Sequence, residues 1–167
     1  MRFKNCLTFL TACFLALPSG LARAQAGANS IRPASGKALC SALTPADFTK
    51  AGVPVSTLQP PNSDDNNGAY CVYASKAGKV EFDIFFPAGA NAQEISNTER
   101  ATLGDAGGKY EPVHLEGADR AQISLTADAI IVVRKGKAVF DIGIPKTANS
   151  RQQLLALSQI VLVRLKQ

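Results

Sequence analysis

Apolar side chains crowd into two short runs near the end of the chain, 129–133 and 138–144, separated by Arg134-Lys135-Gly136-Lys137. β-Branched residues at that density suit a pleated surface, and a four-residue connection containing glycine predicts a β-hairpin. Phe140, Ile142 and Ile144 share one face at period two and leave Asp141 and Gly143 on the other. The same alternation runs through 80–86, where Val80, Phe82, Ile84 and Phe86 oppose Glu81 and Asp83. A partner strand over 70–74 precedes it across a turn at Lys76-Ala77-Gly78, and Pro87 ends it. Two more alternating stretches follow, 110–115 with Val113 and Leu115 inward, and 120–126 with Ala121, Ile123 and Leu125 inward.

Elsewhere the period changes from two to 3.6. Over 150–166, Leu154, Leu157, Val161 and Leu165 form a helical stripe, widened by Leu155, Ile160 and Leu162, with Arg164 and Lys166 at the end that favours cations. A more polar helix over 91–103 has Ile95 and Leu103 as its apolar contacts. Residues 37–43 form a short helical stretch. Thr44-Pro45-Ala46-Asp47 then reads as a helix start, with Thr44 as cap, Pro45 first and Asp47 completing a capping box; Phe48 is the anchor and Gly52 the stop. Residues 54–68 and 104–108 read as loops. The order predicts an α+β domain over 37–167: a single antiparallel sheet packed with helices that cover a face, an α/β sandwich with the C-terminal helix across the sheet.

The front of the chain has another pattern. Arg2 and Lys4 precede an apolar run from Cys6 to Leu17, then Pro18-Ser19-Gly20 and the overlapping small-x-small sites Ala22-Arg23-Ala24 and Ala24-Gln25-Ala26. These are the parts of a cleaved secretory signal over 1–26, with cleavage expected after Ala26 or next after Ala24, followed by a flexible leader over 27–36. The apolar run is shorter than the roughly 20 residues a spanning helix needs, so no transmembrane segment is expected in the mature chain. Leu10-Thr11-Ala12-Cys13 offers a competing lipobox, in which Cys13 would carry lipid; its early position and the apolar run continuing beyond it favour the plain signal and a periplasmic or secreted product. The signal also changes the charge. The full chain carries +5, but Arg2, Lys4 and Arg23 leave with the signal, so the mature domain is nearly balanced at +2. With no Trp and no aromatics interleaved with basic residues, nucleic acid is not an expected partner.

Cys40 and Cys71 remain after cleavage. In an oxidising compartment an even pair reads as a disulfide; two buried free thiols are the alternative, and a metal pair is disfavoured because no His or third Cys lies near either in sequence. Cys40-Ser41-Ala42-Leu43-Thr44-Pro45-Ala46-Asp47, Cys71-Val72-Tyr73, Gly117-Ala118-Asp119-Arg120-Ala121 and Val133-Arg134-Lys135-Gly136-Lys137 together resemble a bacterial exported-domain family of unknown function, typified by small actinobacterial lipoproteins and by sensor domains of receptor kinases. The resemblance spans 40–165 by pattern and spacing. It implies an antiparallel α/β sandwich with the two cysteines paired, and it carries over no catalytic residues.

Chemistry is sparse. His114 is the only histidine, on the outward side of its strand near Glu116, Asp119 and Arg120, and no nucleophile elbow accompanies it. A small hydrolase using His114 with Glu116 or Asp119 is therefore the least favoured reading. Asp64, Asp65 and Asn67 lie in a polar run that partly matches a calcium loop, but Ala74 stands where a bidentate Glu is needed, so a polar turn is preferred to weak calcium binding. Arg134, Lys135 and Lys137 cluster at the hairpin tip, where they could contact an anion or simply keep a turn soluble. No metal or cofactor is expected. The reading that follows is a non-enzymatic, sensor-like binding module of the envelope, for a small ligand or an envelope protein; an accessory subunit of an envelope complex is the runner-up.

Overall fold

A computed structural model describes residues 39–59, 68–86, 91–105 and 109–165. Seven strands form one antiparallel sheet: β1 (Val55–Leu58), β2 (Gly68–Ser75), β3 (Gly78–Phe85), β4 (Glu111–Pro112), β5 (Arg120–Ser124), β6 (Ala129–Lys135) and β7 (Ala138–Ile144). Their spatial order is β1-β2-β3-β7-β6-β5-β4, so β7 is the central strand and the β3–β7 pair joins an N-terminal meander to a C-terminal one. Lying wholly among the described residues are the helices α1 (Pro45–Lys50), α2 (Ala92–Asp105) and α3 (Ser150–Arg164).

One face of the sheet holds the main core. Val80, Phe82, Ile84, Ile123, Ile131, Val133, Phe140 and Ile142 on that face are fully buried. Phe82 and Phe140 meet edge-on across the β3–β7 pair, ring centroids 6.3 Å apart. α3 closes this face with Leu154, Leu157 and Val161, each fully buried, and with Leu165 just past its end. The space between α3 and the sheet is filled by these side chains.

α1 is built as its sequence demands. The Asp47 amide donates to the Thr44 hydroxyl, and the Asp47 carboxylate accepts from the Thr44 amide at 2.8 Å, closing the capping box. Gly52, at φ +78°, turns the chain out of the helix. Arg164 does more than sit at a favourable helix end: its guanidinium grips the Asp47 carboxylate at 2.7 and 2.9 Å and donates to the Ala42 carbonyl at 2.6 Å. Burial pushes the Asp47 carboxyl up, but Arg164 and the Thr44 amide and hydroxyl outweigh it and leave the group below its ordinary value. Because the folded carboxyl is the more acidic, its contribution is present above the unfolded carboxylate range and is lost as pH falls below about 4. Asp47→Ala is expected to cost about 2 kcal/mol near neutrality, through the cap and the bidentate pair. Urea denaturation of both proteins should show the gap closing at about pH 3.

The disulfide joins Cys40 to Cys71, with Cα atoms 5.6 Å apart. Beside it, the buried Tyr73 hydroxyl faces the carbonyls of Cys40 and Leu43 at 3.0 and 2.7 Å, and its ring packs on Phe48 at 4.6 Å. The segment before the sheet is thus tied down covalently and by a buried hydroxyl.

Several boundaries differ from expectation. Residues 55–58, expected as loop, form the edge strand β1, paired on one side only and irregular between Val55 and Thr57; an edge strand with a bulge has no clean alternation to announce it. The stretch 110–115 is ladder only at Glu111–Pro112, with the Val113 amide still donating to the Ala121 carbonyl at 3.0 Å; beyond it, Leu115 reaches the core. α2 runs to Asp105, past the expected loop start at Gly104. The helical stretch expected over 37–43 begins outside the described residues, and within them helical geometry ends at Cys40. The hairpin turn is only Gly136-Lys137, with Lys135 paired to Ala138 and Gly136 at φ +55°. Finally, helices lie on both faces: α1 and α3 on one, α2 on the other.

Candidate functional site

The second face carries the polar side chains that alternation sends away from the core. On β2 these are Tyr70 and Val72; on β3, Lys79, Glu81, Asp83 and Phe85; on β7, Val139, Asp141 and Gly143; on β6, Ile130, Val132 and Arg134; on β5, Gln122. The sequence alone predicts the outward direction of Glu81, Asp83, Asp141 and Gly143. It does not say which would be neighbours, and the register answers that: Tyr70, Asp83, Asp141, Val132 and Gln122 stand side by side in one row across five strands.

Asp83 and Asp141 are directly opposite each other in the β3–β7 ladder, which holds such Cβ atoms about 5 Å apart. Burial, followed by the charge of Glu81, pushes the Asp83 carboxyl up to about 7; Lys79 and a hydrogen bond from the Cys71 backbone oppose this. The Asp141 carboxyl is also raised well above its ordinary value, first by burial and then by Asp83 and Glu81. Two like charges facing each other in a half-buried setting cannot both ionise cheaply, so near neutrality the pair retains a proton. Glu81 has partners, Lys79 Nζ at 2.5 Å and the Tyr70 hydroxyl. The Lys79 amine is raised by those contacts, first Glu81 and then Tyr70. The Tyr70 hydroxyl is raised by burial and by its bond to Glu81.

α2 crosses this face over β6 and β7. Asn91 caps it, its side chain accepting from the Glu94 amide at 3.0 Å. Ile95 packs with Val132 and Val139 in a small second core, to which Leu103, Tyr110 and Ile130 add. Glu99, although 4% exposed, is paired: Arg120 Nε and Arg134 Nη1 each lie 3.3 Å from its carboxylate. Tyr110, just after α2, is raised by burial and then by Asp141, placing its hydroxyl within the field of the acid pair. Three buried polar atoms on this face, Asp83 Oδ1, Tyr110 Oη and Gln122 Nε2, find no hydrogen-bond partner among the described residues. Nothing in the spacing of Tyr110 or Gln122 singled them out; the register puts Gln122 in the same row as the aspartates, beyond Val132, and Tyr110 is tied to the row by the effect of Asp141 on its hydroxyl.

The residues that sequence reasoning put forward are dispersed. Arg134 turns to Glu99 on the second face, Lys135 Nζ donates to the Leu162 carbonyl at 3.1 Å on the first, and Lys137 is exposed at the turn. The three basic residues therefore do not converge on one anion. His114 and Glu116 are exposed, while the Asp119 carboxylate accepts from the Gly136 amide at 2.6 Å and ties the hairpin turn to the loop before β5. Asp64, Asp65 and Asn67 lie outside the described residues, as do Cys13 and the whole stretch read as signal and leader. No group of three or more His, Cys, Asp or Glu is placed to hold a metal ion among the described residues. No helix among them is long and apolar enough to cross a membrane.

An open groove of about 500 Å³ lies between α1 and α3, lined by Lys50, Ala51, Ile160 and Val163 with the Asp47–Arg164 pair. It is open, and its Asp47 and Arg164 already satisfy one another, so the acid row is the more distinctive chemistry. No protein-family model, curated protein or solved structure matches the chain.

Proposed function

We propose that the chain is an exported, non-catalytic binding module of the bacterial envelope that takes a small, donor-rich ligand on the second face of its sheet. The observation that carries this reading is the gathering on this face of three buried, unpartnered polar atoms, Asp83 Oδ1, Tyr110 Oη and Gln122 Nε2; Ser158 Oγ on α3 is the other such atom among the described residues. Buried polar groups are nearly always paired. A bound amine, amide or hydroxyl group placed on this row would donate to the carboxylates and accept from Gln122 and Tyr110. Support for export comes from the signal pattern over 1–26 and from the Cys40–Cys71 disulfide, a bond that persists in oxidising compartments. The resemblance to exported lipoprotein and sensor domains points the same way.

A thermal-shift screen with polyamines, amino acids and monosaccharides tests the reading. At least one class is expected to raise the unfolding temperature, and the shift is expected to shrink in Gln122→Ala and Tyr110→Phe. A screen with no shift, or a shift indifferent to both substitutions, would count against it.

A further inference from the structure

We propose that α2 is a lid fastened by a proton shared between Asp83 and Asp141, and that loss of this proton lets α2 lift from the sheet while the rest of the domain stays folded. The geometry behind this has three parts. The aspartates are opposite partners on adjacent central strands, so the β3–β7 ladder holds their backbones side by side. Neither forms an ion pair among the described residues, and the cations that share their face are engaged elsewhere, Lys79 with Glu81 and Arg134 with Glu99. α2 is attached by little: one buried apolar side chain, Ile95, a partly buried Leu103, and the Glu99 bridge to Arg120 and Arg134.

When the shared proton leaves to solvent, two carboxylates remain where there was one negative charge, beside a third from Glu81. Hydration relieves them, and the cheapest route to water is to displace the cover over β7. The larger core, with α3 and the disulfide, lies on the opposite face and is not disturbed. Every titratable or charged group facing the pair bears on the sign. Glu81 on β3 adds repulsion, and Lys79 softens it. The Tyr70 and Tyr110 hydroxyls are neutral donors at these pH values. On α2, Glu99 is balanced by Arg120 and Arg134. The closed form holds the proton more tightly than the open form, so the lid is secured at low pH and loosens as pH rises through neutrality. Local opening of this kind draws on the least stable element, and α2 is the helix with the fewest buried apolar side chains for its length.

Amide hydrogen exchange on the ligand-free protein, corrected for the intrinsic effect of pH, reads the lid directly and is independent of any binding. Protection within 92–105 is expected to fall about tenfold or more between about pH 5 and about pH 8.5, the factor that one unit of pKa difference supplies. Protection within 150–164 is expected to stay constant. Asp83→Asn/Asp141→Asn should remove the pH dependence in α2. The idea is overturned if wild-type α2 protection does not change with pH, or if the same fall persists in the double variant. Should that variant not fold, carboxyl carbon NMR of the wild type decides: an aspartate titrating near neutrality together with the loss of α2 protection supports the lid, and no such aspartate overturns it.

Discussion

Phe140→Ala is expected to lower the unfolding free energy by about 4 kcal/mol, the usual range for emptying a large aromatic site. Phe140 is fully buried on the central strand, against Phe82 on one neighbour and opposite Val133 on the other. A cavity there opens beneath α3, and sheet and helix would have to move together to close it, so little relaxation is available. Domains of this size are held by about 5–15 kcal/mol, which makes the loss a large share of the total. Urea denaturation should show the midpoint falling with little change in slope, and Phe140→Leu should recover more than half of the loss. A midpoint shift below about 1 kcal/mol equivalent would mean that the sheet and α3 are not packed as described.

Removing the disulfide ranks next. Cys40 and Cys71 are 31 positions apart, and closing a loop of that length stabilises by about 4 kcal/mol in the chain-entropy treatment. Cys40→Ala/Cys71→Ala is expected to lose most of this. The loss has a local signature as well, because the bond holds Cys40 where its carbonyl meets the buried Tyr73 hydroxyl. Without the bond, the segment 39–43 should become accessible to protease before the sheet does. Equal protection of that segment with and without the disulfide would show that Tyr73 and the Arg164–Ala42 contact suffice to anchor it.

Much of this architecture can be read in the chain because its main elements obey local rules. Val80, Phe82 and Ile84 alternate cleanly since one face of β3 meets a core of large side chains and the other meets polar ones. Leu154, Leu157 and Val161 recur at helical spacing since α3 lies flat on that core. The capping box at Thr44 and Asp47 is local by nature. β1 escaped notice because an edge strand with a bulge pairs on one side only, and Ser56 is exposed. Glu99 read as one more polar residue on a modest helix, since its partners, Arg120 and Arg134, come from strands far along the chain. The acid row was hidden for the same reason. Glu81, Asp83 and Asp141 were each visible as outward residues, but an outward residue reads as solvated. Only the β3–β7 register, together with α2 lying on that side, turns Asp83 and Asp141 into a half-buried pair.

That same β3–β7 junction fixes an order of events during synthesis. β1 to β3 are neighbours in sequence and can pair as soon as they emerge, but the free side of β3 finds its mate about 60 positions later, as with Glu81 and Gly143. Until then the nascent chain presents an unpaired strand edge with Val80 and Phe82 uncovered, the kind of surface that recruits other strands. The last hairpin therefore ends a period of exposure as well as completing a sheet, and the domain's chief hazard of aggregation belongs to its birth more than to its finished state.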